Sequence, residues 1–203
     1  MTEAGASGYR HPGYAAAMCH IGTPLPLPRC GGWLLQRDIP GSDRQDLIGC
    51  YPIFSCRDWD RLEDDIAELG SGHVSVSLVT DPFARIDPDR LSRSFPDRCV
   101  PYKEHFVTDL SMPDRSIVSA HHRRNVRRAL EAIDVEVCAR PKDHLADWVR
   151  LYDNLIARHG IVGPAAFPEE SFRRQFDVPG LVLLRGVHAG ETVGMIQWYV
   201  QDS

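Results

Sequence analysis

The sequence predicts a mixed α/β fold in which short strands alternate with amphipathic helices. Two observations support this class. From about residue 30 onward, segments with β-type alternation are separated by segments with helical periodicity, and the second half follows the order helix, strand, helix, helix, strand, strand. The final strand of that series is apolar on both faces, which is typical of a strand inside a sheet that helices cover on both sides.

Length and composition narrow the class further. The 203 residues allow one domain or two small ones, and the content of 43% hydrophobic and 25% charged residues excludes wholesale disorder. No window approaches 18 consecutive apolar residues, so no membrane span is expected. The net charge of −5 argues against a general nucleic-acid binder.

The first residues, Met-Thr-Glu-Ala-Gly-Ala-Ser-Gly, have neither the basic nor the apolar region of a signal peptide, which predicts a cytoplasmic protein. Its six cysteines are therefore expected to be reduced. They have no zinc-site spacing, and no metal is expected. Cys50 and Cys138 lie in apolar runs and are expected to be small core residues.

The front half is expected to consist of a leader and a small α/β region over 29–112. Residues 1–28 are rich in Gly, Ala and Pro and end in Pro24-Leu-Pro-Leu-Pro28, which predicts a disordered leader. Ser55 is a candidate N-cap for the first helix, whose acidic outer side predicts a solvated face, and Pro88 is expected in the first turn of the second. The predicted segments are strands over 33–37, 47–54, 73–80 and 104–110 and helices over 57–69 and 87–95.

The back half, 113–203, begins after a boundary at Ser111-Met-Pro-Asp114. His159-Gly160 is typical of a helix end, Pro168-Glu-Glu170 of a helix start, and His188-Ala-Gly-Glu191 of a tight hairpin. The predicted segments are helices over 116–133, over 143–159 and from 168, and strands over 135–139, 181–187 and 192–200. The first helix is expected to turn a stripe toward the core, comprising Val118, Val126, Ala129, Leu130 and Ile133.

The last predicted strand carries apolar residues on both faces, with Val193, Met195 and Tyr199 on one and Ile196, Trp198 and Val200 on the other. At the edge of a sheet it would expose aromatic side chains and unpaired backbone groups. We therefore expect the module to be incomplete at its C-terminus. An exposed strand of this kind could also self-associate or bind a partner by strand addition.

The strongest charge feature is a group of four arginines within six residues, with no acid between them: Arg123, Arg124, Arg127 and Arg128. On a helix they form two columns at i,i+4 spacing. The functional interpretation is a contact with a phosphate or carboxylate of a donor or substrate. The structural alternative is a solvated face that pairs with Glu131 or with the acidic helix near 58–68.

No catalytic residue can be named from the sequence. His121 and His122 are adjacent and about 100° apart on a helix, which is a poor arrangement for chelating one metal. His122 is expected at the boundary of the core, and His105 has no neighbour that would make it a general base. Neither a Ser/His/Asp nor a Cys/His nucleophile signature is present.

The stretch His121-His-Arg-Arg-Asn-Val-Arg-Arg-Ala-Leu130, followed by Asp134-Val-Glu-Val137, resembles the FemAB-like branch of the GNAT acyltransferase superfamily. In that branch a basic helix of this type precedes the first strand of the module. Residues 145–159 and 167–176 are similar to the module's first two helices, and residues 181–187 and 191–200 to its second and third strands. Gly190-Glu-Thr-Val-Gly194 is close to a hairpin motif common in the superfamily. The resemblance covers about 115–200 well and 30–110 loosely.

This resemblance implies an acyl-CoA N-acyltransferase fold that transfers an acyl group, most simply acetyl from acetyl-CoA, to an amine or similar acceptor. In the FemAB enzymes proper the donor is an aminoacyl-tRNA. Family members hold the donor with a splayed fourth strand and a Gly-rich turn at the next helix, where backbone N–H groups cradle the pyrophosphate.

The sequence has no Gly-x-Gly-type phosphate loop and no fourth strand after residue 200. We therefore expect this chain alone not to bind acyl-CoA productively, and micromolar binding would contradict that expectation. The alternative is a non-catalytic binding module that uses its open strand edge or the arginine helix.

Overall fold

The computed structural model describes residues 6–113 and 117–201, and within them it contains two β-sheets and six α-helices. The helices are α1 (Pro12–Ala17), α2 (Leu62–Glu68), α3 (Pro88–Ser94), α4 (Ala120–Leu130), α5 (Leu145–His159) and α6 (Glu169–Gln175). The strands are β1 (Thr23–Leu27), β2 (Gly32–Asp38), β3 (Gln45–Gly49), β4 (His73–Ser77), β5 (Asp134–Val137), β6 (Leu181–His188) and β7 (Glu191–Tyr199). The predicted mixed class of helices and strands is confirmed at this level.

The front sheet has the order β1-β2-β3-β4, with antiparallel pairs except for the parallel pair of β3 and β4. Adjacent residues of β2 supply both of its faces, since strand side chains alternate. Leu34 joins a front core that includes Leu62 of α2, whereas Leu35 joins a middle core around α1. Helices therefore cover this sheet on both faces.

The prediction of a disordered leader over 1–28 is wrong for the residues that the structure describes. Residues 12–17 form α1, and residues 23–27 form the edge strand β1. Pro24 and Pro26 fit there because their missing N–H groups lie on the side of an edge strand that faces away from the ladder. The alternating Leu25 and Leu27 then turn toward the front core.

The start of α2 differs from the prediction. Asp58, not Ser55, provides the cap, because its carboxylate accepts a hydrogen bond from the backbone N–H of Asp60 (3.0 Å) in a 3-10 turn that leads into the helix. Ser55 instead donates a buried hydrogen bond to Asp81 (2.8 Å). The acidic face is also not fully solvated, since Asp65 is buried.

The predicted strand over 104–110 is wrong, because this segment is irregular and exposed, with Phe106 and Leu110 on the surface. A strand needs a partner for its ladder, and no neighbouring strand of the described residues pairs with this segment. The strand predicted over 47–54 likewise ends early, at Gly49. Beyond it, an isolated bridge joins Phe54 to Thr80.

The back sheet is antiparallel with the order β5-β6-β7, and α5 and α6 pack on one of its faces. The local signals act as predicted. Gly160 ends α5 with a φ of 60°, and Ala189 and Gly190 connect β6 to β7 with φ values of 50° and 83°. The core between the sheet and the two helices consists of Cys138, Leu145, Phe172, Phe176 and Leu183.

Helix α4 corrects the prediction of a core-facing stripe. It has no buried residue, and Val126 and Leu130 are 53% and 55% exposed. The predicted helix began at residue 116, which lies outside the described residues, and α4 itself starts at Ala120 after the cap Ser119. Within α4 the stripe remains in solvent because no helix or sheet of the described residues packs against it, whereas Ile133, beyond the end of the helix, is half-buried beside Gly186 of β6.

The middle core joins the two halves. Tyr14 of α1 packs edge-to-face against Tyr9 and Tyr199, with ring centroids 4.9 and 5.4 Å away. Its hydroxyl donates a hydrogen bond to the backbone carbonyl of Tyr51 (2.7 Å). Residues of the predicted leader thus lie between the front and back sheets.

All six cysteines are free thiols, and Cys50 and Cys138 are buried as predicted. Burial raises the pKa of Cys50 to about 12, so its thiol stays protonated and acts as a small core side chain. Among the helices of the described ranges, none combines the length and the apolar character needed to cross a membrane.

Candidate functional site

The four arginines of the basic helix lie on α4, where the sequence places them. Ser119 caps the helix, since its Oγ accepts a hydrogen bond from the backbone N–H of His122 (3.3 Å). Arg127 and Arg128 occupy the last turn, where cations interact favourably with the helix dipole. The cap and the favourable dipole interaction therefore stabilise α4 locally, although no core of the described residues covers it.

The structure decides against the proposed pairing of these arginines with the acidic helix. The acids around α2 pair instead with arginines of the front half, including Arg61 with Asp64 (3.0 Å) and Arg90 with Asp60 (3.3 Å). Three of the four guanidinium groups of α4 form no ion pair with an acid of the described ranges, namely those of Arg124, Arg127 and Arg128. Arg123 differs, because it donates a hydrogen bond to the carbonyl of Val118.

His121 supports the arginine face and is not part of a metal site. The guanidinium of Arg124 lies 3.2 Å from Nδ1 of His121 and can only donate, so Nδ1 is the acceptor of this contact. The side-chain amide nitrogen of Asn125 lies 3.1 Å from Nε2 of the same ring. His122 is exposed, which corrects its expected place at the core. Across residues 6–113 and 117–201, no three His, Cys, Asp or Glu side chains cluster closely enough to hold a metal ion.

A groove of about 760 Å³ runs along the outer edge of β4. Its floor includes Val76 and Leu78, and its far wall is the irregular segment from Pro96 to His105. His105 thus lies on a cavity wall, as a base would, but among the described residues no acid forms a hydrogen bond or an ion pair with it. None of the α4 arginines lines this groove, so the structure does not bring the two candidate features together.

A serine and a histidine that no sequence pattern links lie within hydrogen-bond distance. Ser171 Oγ is 2.8 Å from Nδ1 of His20 and 2.6 Å from the carbonyl of Ala17. The carbonyl can only accept, so the serine proton is directed to Ala17 and not to the imidazole. Because Ser171 is also fully buried, the pair joins α6 to the end of α1 and is not a nucleophile with its base.

A polar network at the start of α5 is likewise not predicted by any sequence pattern. The hydroxyl of the buried Thr192 donates to Asp147 (2.6 Å), and Arg150 donates to the same carboxylate (3.1 Å) and to the Thr192 carbonyl (2.8 Å). Beside them Arg185 pairs with Glu136 (2.7 Å). This network attaches α5 to the hairpin of the back sheet.

The Thr192 hydroxyl, with a smaller contribution from Arg150, lowers the pKa of Asp147 below its usual value of 3.8. A carboxyl with a lower pKa in the folded state stabilises the fold above its unfolded pKa, and that contribution is lost as the pH falls through the folded pKa. We expect Thr192→Val to move the Asp147 titration midpoint up toward 3.8. Carboxyl-detected NMR measures this midpoint.

Thr192→Ser is the control for that titration, since it keeps the hydroxyl and should keep the midpoint low. An unchanged midpoint in Thr192→Val would show that this hydrogen bond does not set the charge state of Asp147.

Acyl-CoA, the donor implied by the resemblance, fits the described residues in part. The exposed guanidinium groups of α4 have the chemistry that binds phosphate oxygens. A Gly-rich cradle at a helix start is not found in the described ranges, because Gly70-Ser-Gly72 leads into strand β4. The first turns of α2, α3, α5 and α6 also carry acids, which repel a pyrophosphate. The arginines could thus contact such a donor, but the cradle is missing from these residues.

Comparison with known proteins gives no assignment. No protein-family model matches the chain, and no curated protein matches it. The functional conclusion therefore depends on the residues and their arrangement.

Proposed function

We propose that the back half of this chain belongs to a GNAT-type acyltransferase of the FemAB-like branch, which transfers an acyl group, most simply acetyl, from acyl-CoA to an amine. The observation that supports the proposal is the order of elements. A basic helix, a strand, two helices and a hairpin follow one another as α4, β5, α5, α6, β6 and β7, with the three strands in one antiparallel sheet. This is the order that the resemblance implies for the first part of the module.

The proposed reaction needs no nucleophilic side chain. The amine nitrogen attacks the carbonyl carbon of the thioester, the C–N bond forms as the C–S bond breaks, and CoA leaves as a thiolate that takes up the proton the amine loses. The role proposed for α4 is to bind a phosphate of the donor or an anionic group of the acceptor through Arg124, Arg127 and Arg128. Arg123 is left out because its guanidinium contacts the Val118 carbonyl.

Calorimetry with coenzyme A tests this role directly. We expect weak, salt-sensitive binding to the 203-residue chain, with a dissociation constant in the millimolar range. The triple variant Arg124→Gln, Arg127→Gln, Arg128→Gln should show no measurable binding, because the loss of even one charge-assisted contact, worth about 1.5–3 kcal/mol, weakens binding about tenfold or more. Its melting temperature should stay unchanged, since α4 has no buried residue.

The matched control removes three exposed arginines elsewhere, Arg44, Arg98 and Arg158, by the same substitution, so the net charge changes equally. It should bind coenzyme A like the wild type. Equal losses in both triple variants would show that only net charge matters and would overturn the role of α4. Tighter binding of an oligonucleotide than of coenzyme A would instead favour nucleic-acid recognition.

A second candidate function is a binding module without catalysis. The observation that favours it is β7, a nine-residue strand that pairs only with β6 among the described strands. Such an edge offers backbone donors and acceptors to an added strand. Acyl transfer by any longer version of this chain would exclude a purely non-catalytic module.

A further inference from the structure

The face of the back sheet that turns away from α5 and α6, here called the open face, consists of apolar residues. Directly opposed residues of antiparallel strands share a face, and the register pairs Val137 with Leu184 and Leu184 with Ile196. The same alternation places further residues there. Its side chains are those of Val135, Val137, Val182, Leu184, Ile196, Trp198 and Val200.

The described residues leave most of the open face uncovered. Val137 is 70% exposed and Trp198 is 58% exposed, and none of its residues belongs to the back core. Of the described residues outside the sheet, Ile133 reaches it, at Gly186. The exposed side chains offer roughly 500 Å² of apolar area, which is at the upper end for a monomer's largest patch and more than half of what one partner contributes to a standard interface.

The face has a definite relief along β7. Trp198 forms a ridge, Ile196 follows at intermediate height, and Gly194 leaves a hollow. A Cβ added at Gly194 would meet no atom within 4 Å, so the chain's own packing does not require glycine there. The ridge and the hollow lie two residues to either side of Ile196, and their distances from it are therefore equal.

We propose that a second copy of this chain covers the open face. The two-fold axis would lie midway between the two facing sheets, perpendicular to the strands, at the level of Ile196. Rotation about it places each residue of β7 opposite the residue of the other copy that lies equally far from Ile196 in the other direction. Trp198 of each copy then lies over Gly194 of the other, and Ile196 meets its equivalent on the axis. The relief is therefore self-complementary, as an isologous dimer interface requires. Aligned packing of two sheets in this way is common.

Sedimentation equilibrium of the full chain over a range of concentrations tests the proposal. The wild type should form a dimer, and larger species should be absent because a two-fold interface closes. Gly194→Leu, which fills the hollow, and Trp198→Glu, which places a charge on the ridge, should each weaken the dimer about tenfold or more. The monomer should keep its circular dichroism spectrum, because the hollow is empty and Trp198 is mostly exposed.

The control is Val193→Glu. Val193 lies on the same strand with 47% exposure, and it is the extra residue of a bulge, since Gly194 pairs with Gly186 and Thr192 with Val187. It therefore does not belong to the alternating set of the open face, and its variant should dimerise like the wild type. The double variant Gly194→Trp with Trp198→Gly exchanges ridge and hollow and should dimerise again. A wild-type chain that stays monomeric at all concentrations would overturn the proposal. A dimer that survives both single substitutions, or that Val193→Glu disrupts equally, would also overturn it.

Discussion

Replacement of Tyr14 by alanine is expected to lower the free energy of unfolding by about 3–5 kcal/mol, the usual cost of truncating a large buried aromatic side chain. Tyr14 is 2% exposed and lies in the middle core between the two sheets. Its loss would remove two edge-to-face ring contacts and the hydrogen bond to the Tyr51 carbonyl together. Urea denaturation followed by circular dichroism measures the change.

Two comparisons separate the parts of this effect. Tyr14→Phe keeps the packing and leaves the Tyr51 carbonyl without its donor, so about 1 kcal/mol should be lost. Tyr102→Ala removes a tyrosine that is 75% exposed and should change stability by no more than about 0.5 kcal/mol. If Tyr14→Ala were as mild as Tyr102→Ala, residues 12–17 would not join the two halves of the fold in solution.

Elements with local signals were predictable from the sequence. The end of α5 depends on a glycine that adopts a positive φ, and the hairpin between β6 and β7 depends on two residues with positive φ. Proline and acids at the start of α6 act within one turn of the chain. In each case the residues that set the structure lie within a few positions of one another, so their pattern can be read directly.

Elements that depend on distant partners were not predictable. The proline-rich stretch 24–28 has the composition of a leader, and it becomes a strand because β2 pairs with it. The stretch 104–110 has strand character, but none of the described strands pairs with it. Helix α4 shows an amphipathic pattern, yet the part of its apolar stripe within the helix is exposed because no element of the part of the chain that the structure describes covers it. The sequence pattern of a segment indicates which secondary structure it favours, and contacts with distant segments determine whether that structure forms and becomes buried.

The same distinction holds for the candidate site. The cluster of four arginines is visible in the sequence because its members are adjacent. That Arg124, Arg127 and Arg128 lack acidic partners in the described ranges depends on how the acids of α2 pair in the fold. The contact of Thr192 with Asp147 spans 45 residues, and no sequence signal links the two positions.

Asp65 differs from the other five acids of residues 58–68 because it is buried and accepts backbone hydrogen bonds from a distant turn. Its carboxylate accepts hydrogen bonds from the backbone N–H groups of Arg29 (3.2 Å) and Cys30 (2.8 Å), at the turn between β1 and β2. Because Asp65 is 3% exposed, water cannot replace it as the acceptor. We expect Asp65→Ala to lower the free energy of unfolding by about 2–4 kcal/mol, since a buried donor left unsatisfied costs about 1–3 kcal/mol.

Asp64 provides the matched control on the same helix. It is an acid one residue earlier, and its side chain is 43% exposed. It forms surface ion pairs with Arg61 (3.0 Å) and, at 3.9 Å, with the guanidinium of Arg29, but it accepts no backbone N–H group of the turn. Exposed ion pairs contribute little, so Asp64→Ala should cost at most about 1 kcal/mol. Asp65→Asn should fall between the two alanine variants, because the amide oxygen can still accept one N–H group while the charge is lost. Equal effects of Asp64→Ala and Asp65→Ala would mean that the turn at Arg29 and Cys30 does not depend on the buried carboxylate.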